Sequence, residues 1–155
     1  MRKLLSIVIT GVVVTVGIVG YVITQGNVDA YNGYADRIRP LLLQQDAVIE
    51  QIQASTDEQG KGLVDGWIAT SSSIQNQLAA ITTEEPEINA LNLHLVARAQ
   101  KLTTGLQHVK NYYMTGNQQS LAEWTRLTTE AGAHLDAFVK QRDAYFKDKD
   151  MVLEE

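Results

Sequence analysis

The chain has no cysteine among its 155 residues. That absence excludes a disulfide framework, a lipid-attachment cysteine, a Cys-x-x-Cys-His haem site and a thiol nucleophile. A domain made from this chain must be held by packing alone. Proline is almost absent, with Pro40 and Pro86 the only two, and there is no Asn-x-Ser/Thr sequon, which is compatible with a bacterial origin. Also missing are a Gly-rich phosphate loop and a Gly-x-Ser-x-Gly nucleophile motif. Basic residues are in deficit, 13 Lys and Arg against 18 Asp and Glu. Setting aside Arg2 and Lys3 leaves 11 basic against 18 acidic residues, a balance of −7 for the remainder. This charge argues against nucleic acid as a partner and against adsorption to anionic lipid.

What is present first is one long apolar run. From Leu4 to Thr24 no residue is charged, and Val, Ile and Leu dominate. At about 1.5 Å per residue such a run can cross a hydrocarbon core roughly 30 Å thick. Arg2 and Lys3 precede it, and Asp29 is the first charge after it. The positive-inside rule therefore keeps the N-terminus in the cytoplasm and exports the rest. A cleaved secretory signal has a shorter apolar region, so the length favours a retained anchor. Val28-Asp29-Ala30 nevertheless supplies compact residues where a signal peptidase would cut, leaving a secreted or periplasmic product as the alternative. Both readings export residues from about Asn27 onward. Within the run, Ser6, Thr10, Val13, Gly17, Gly20 and Thr24 recur at alternating steps of three and four. They define one helix face where a second membrane helix could approach closely. No strict Gly-x-x-x-Gly occurs, and small residues are common in membrane helices generally.

The expected organisation is an anchor or signal over residues 1–25, a bundle over 26–150 and a frayed tail over 151–155. Beyond the anchor the fold class is all-α, because apolar residues recur at helical spacing in four segments. The first carries Val28, Tyr31, Ala35, Ile38, Leu42, Gln45, Ile49 and Ile52 and ends near "STDEQGKG". Pro40 falls on its outward face, which predicts a kinked helix rather than a break. The second carries Val64, Trp67, Ser71, Ile74, Leu78 and Ile81, with Gly62 and Gly66 weakening its first turns. The third starts at Pro86 and runs to a glycine cap at Gly116. The fourth is capped by Asn117 or by Ser120, the latter forming a capping box with Glu123. Short connections predict an antiparallel up-down-up-down bundle, with Gly26 and Gly33 as flexible points next to the anchor.

Chemistry is sparse. His94 and His108 stand fourteen residues apart on the third segment, roughly 21 Å along a helix. Pairing the last two helices about Gly116 and Asn117 places His134 opposite Ala99, about a turn from His94, a spacing too loose to mark a site. Glu130 and His134 share a face but make only two ligands, and no Glu-x-x-His pair occurs. Met114 at a helix end and Met151 in the tail are poorly placed as haem ligands. The three carboxylates of "TTEEPE" suit a helix start. Arg98 and Arg142 lie at or beside core positions, where a guanidinium needs a carboxylate or must snorkel to water. Of the adjacent pair Tyr112 and Tyr113, one is expected to point outward. The expectation is no catalytic residue, no cofactor and no metal.

The stretch "VKNYYMTGNQQSLAEWTRLTTEAGAHLDAFVKQR" resembles the helical hairpin of extracytoplasmic four-helix-bundle sensing domains of bacterial chemoreceptors and histidine kinases. Tyr113, Thr115, Gly116, Leu121 and Trp124 carry the resemblance. In those families the motif joins earlier helices, and a second membrane span leads to a cytoplasmic signalling domain. Here the hairpin joins the last two helices, and no second apolar run follows. The resemblance implies a sensing or docking bundle whose message another protein must carry inward. The expected function is a single-pass, membrane-anchored interaction module with membrane lipid around residues 4–24 and a protein partner or homodimer. Two other readings are a secreted or periplasmic carrier of an unidentified small molecule and a structural spacer.

Overall fold

The computed structural model describes residues 28–151. The expected anchor, its small-residue face and Gly26 lie outside them. Four helices follow in order: α1 (Val28–Ala54), α2 (Asp57–Ala79), α3 (Pro86–Thr115) and α4 (Gln118–Asp148). Among the described residues no helix is long and apolar enough to cross a membrane.

Neighbours run antiparallel. Arg37 near the start of α1 donates to the Thr82 carbonyl just beyond α2, while Gln51 near its end accepts from Trp67 Nε1 at 3.0 Å. Lys110 pairs with Asp65 between α3 and α2, and Asn111 donates to Ser120 between α3 and α4. Helix α1 is unbroken through Pro40, which is exposed as expected, and through Gly33.

The ends are made by local chemistry. Only Ser55 and Thr56 separate α1 from α2. The stretch "STDEQGKG", the expected end of the first segment, starts α2 because Thr56 and Gln59 form a reciprocal capping box, satisfying two orphan N–H groups. Gly116 adopts φ 70°, and its N–H closes on the Tyr112 carbonyl, so α3 ends where expected. Asn117 caps α4 by accepting from Gln119 N–H. Ser120, the other cap candidate, lies inside α4, buried against Asn111. In "TTEEPE" no side-chain cap is formed by Glu85; Asn89 instead exchanges two hydrogen bonds of 2.8 Å with the Thr83 backbone and shapes the turn. Met151 is not frayed: its N–H reaches the Phe146 carbonyl at 2.8 Å and its side chain is buried.

The core has two apolar halves. One gathers Tyr31, Ile38, Ile74, Leu78, Leu91, Leu95, Phe138 and Phe146 at the end where α1 begins. The other gathers Ile49, Ile52, Val64, Trp67, Leu106, Tyr113 and Trp124 toward the α1–α2 and α3–α4 turns. Tyr112 and Tyr113 both belong to this second half, contrary to the expectation that one faces out. Gly60 explains it, since a Cβ there would overlap the Tyr113 ring. The Tyr112 hydroxyl reaches Asp57 at 3.4 Å.

Candidate functional site

Between the apolar halves sits a buried polar layer. Arg98 on α3 is fully buried. Its guanidinium donates to Gln45 Oε1 and lies 3.7 Å from Asp46 Oδ1, both on α1. Burial pulls its pKa down to about 10, and the Asp46 carboxylate opposes the shift. The arginine therefore stays cationic at neutral pH, and its carboxylate comes from the protein. A second junction ties three helices together. Asn92 on α3 donates to the Leu78 carbonyl at 2.7 Å and receives the Tyr34 hydroxyl from α1 at 3.4 Å. Both junctions fix α1 against α3 across a gap that backbone contact does not close. Arg142 behaves differently: its guanidinium reaches the more exposed Asp143 at 2.6 Å, with its flank over Phe146.

Two surface depressions are formed by the described residues. An open groove of about 360 Å³ runs between α1 and α2, lined by Gln44, Ala47, Gln51, Leu63, Gly66 and Thr70 with Trp67 and Val48 beneath. No lining residue is charged. Leu63 is 46% exposed, and Leu43, one residue from Gln44, is 47% exposed. Gly66 lines the groove without a side chain, and a Cβ there would stand in open space. A smaller depression near the α3–α4 turn is lined by Asp57, Lys61, Tyr112, Tyr113, Met114 and Gly116.

The histidines are distributed unevenly. The His94 and His134 rings lie with centroids 6.2 Å apart across the α3–α4 seam, closer than the looseness expected from their spacing. His94 Nε2 meets Gln141 Oε1 at 2.8 Å. Glu130, sharing a helix face with His134, is held by Lys101 at 2.6 Å and by Arg126. Among the described residues no group of three or more His, Cys, Asp or Glu could hold a metal ion. Ser6, Thr10, Val13, Gly17, Gly20 and Thr24, expected to form a membrane-helix face, fall outside the described part.

Sequence reasoning missed Asp46, which sits one residue beyond the core position Gln45, and the uncharged groove. An arginine at a core position with Gln-Asp at a core position of another helix was the signal for the first. For the second it was Gly66 followed by a charge-free stretch to Glu84. Comparison with known proteins adds no relative: no family model, no curated protein and no solved structure matches this chain.

Proposed function

We propose that the protein is a membrane-tethered interaction module. Residues 4–24 hold the bundle at the outer face of the membrane, and the α1–α2 groove receives an uncharged, apolar helix face of a partner protein in the same membrane. The observation that carries this reading is a groove without a charged lining residue, with half-exposed Leu63 on its wall, on a chain that is 20% charged. A charged partner surface would lose its hydration there and gain no counter-charge. An apolar surface loses nothing by desolvation and covers the half-exposed Leu63. The four packed helices supply a rigid face of the kind that helix-in-groove recognition uses. The resemblance to sensing bundles is consistent with the same role.

The test is site-specific photocrosslinking of the full-length protein in its own membrane. Probes replace Ala47 and Leu63 in the groove and Asp136 on the outer face of α4. Discrete protein adducts from the groove positions alone are expected. Equal labelling from Asp136, or lipid adducts only, overturns the proposal. Intact mass of the membrane fraction checks the tether, since a chain starting near Tyr31 in the soluble fraction rules it out.

A further inference from the structure

We propose that His94 and His134 form a two-imidazole site for a divalent late transition metal, with copper(II) bound most tightly. This inference is independent of the docking role.

The seam that carries the pair is the most extensive backbone contact among the described helices, so the two backbones hold the rings in register. The ring centroids are 6.2 Å apart and the planes tilted by 41°. With metal–nitrogen bonds of roughly 2.0–2.1 Å, two imidazoles sharing one ion have centroids no more than about 6.3 Å apart, and about 5 Å at a tetrahedral angle. The observed separation already falls inside that limit. Small side-chain rotations close the remainder, because both residues are only half-buried.

Gln141 prepares one ligand. Its amide oxygen can only accept, so in the neutral His94 ring the proton sits on Nε2, 2.8 Å away, and the Nδ1 lone pair is left for a metal. Ligand histidines characteristically have the second ring N–H held this way, which fixes the tautomer and ring orientation. His94 lies between His134 and Gln141 on the facing helix, with contacts to both. Glu130 is unavailable as a third ligand because Lys101 and Arg126 engage its carboxylate. The protein thus offers two nitrogens, and water completes the coordination. Such an open, nitrogen-only set follows the order in which Cu²⁺ exceeds Ni²⁺ and Zn²⁺.

The probe is copper(II) chloride added to the full-length protein in detergent micelles. Electron paramagnetic resonance should show coupling to two imidazole nitrogens at one equivalent. The thermal midpoint should rise, because metal bound only by the folded seam stabilises it. Replacing an outer-shell group costs about ten-fold in affinity, so Gln141→Leu should weaken binding by that order and His94→Gln or His134→Gln by more. His108→Gln should change nothing. Each variant's helical circular dichroism is measured first, and His94→Asn and His134→Asn replace any variant that fails to fold. Copper bound equally well by the His94 and His134 variants, or lost equally on changing His108, overturns the proposal.

Discussion

Helix α1 and the α3–α4 hairpin share a heptad-like apolar spacing but pack in opposite ways. The α3 and α4 backbones run close together, whereas α1 approaches the backbone of α2 and meets α3 and α4 mainly through long side chains. The close seam depends on a missing side chain. A Cβ on Gly105 would stand 2.5 Å from Trp124 Cε3, so the indole occupies the space that any other residue would fill. The wide seam depends on side chains that bridge, with Arg98 reaching Gln45 and Asp46, and Tyr34 reaching Asn92. Apolar spacing thus says that a face is buried. The size and polarity of a few residues on it determine the distance at which it is buried.

The sharpest way to break this contrast is at the polar layer. Asp46→Ala leaves the Arg98 guanidinium buried without its carboxylate and should cost about 3–5 kcal/mol in denaturant unfolding. Replacing both partners, as Arg98→Met with Asp46→Leu, should be neutral or stabilising by about 1–4 kcal/mol. If the single and double variants lose the same stability, the layer does not hold α1 in place.

Alkaline titration probes the same helix. Tyr31 is fully buried between α1 and α4, its hydroxyl has no hydrogen-bond partner among the described residues, and its ring meets Phe146 at 4.7 Å. Burial pushes its pKa up to about 12, with Arg142 partly opposing the shift. The unfolded phenol ionises near 10, so the stability from this group is complete below pH 10 and falls away as pH rises to about 12. At about 1.4 kcal/mol per pKa unit, the loss from Tyr31 is about 2–3 kcal/mol. Phenolate absorbance and helical circular dichroism should change together in that window. Wild-type and Tyr31→Phe protein with the same alkaline midpoint would remove the link.

Glycine substitutions sharpen the comparison with smaller effects. Gly105→Ala should cost about 1–3 kcal/mol through overpacking against Trp124, even after the gain in helix propensity. Gly62→Ala on α2, where nothing lies within 4 Å of the added Cβ, should instead stabilise by up to about 1 kcal/mol. Opposite signs in thermal unfolding are the expected result. Equal signs would mean that Trp124 is free to move.

Much of this was legible beforehand because its causes are local. Pro86 and Gly116 marked the ends of α3 through backbone restrictions that act within a few residues. The Thr56 and Gln59 box was equally local but was obscured by the glycines that follow it. Ser120 was the harder case. As a cap it competed with Asn117, and only its burial against Asn111 on the facing helix placed it inside α4. Tyr112 and Tyr113 could not both be assigned to the core from one helix alone, because the room for Tyr113 is made by Gly60 on another.

By itself, then, the sequence determined the all-α class, the four helices, their apolar faces and one uncharged run of membrane-spanning length outside the described residues. Helix periodicity and end signals are properties of neighbouring residues along the chain. Tertiary structure alone decided that Asp46 answers Arg98, that His94 stands beside His134, and that Gly66 lines a groove while Gly105 closes a seam. Each of these depends on what a second helix presents at the same height, and the spacing along one helix carries no information about that.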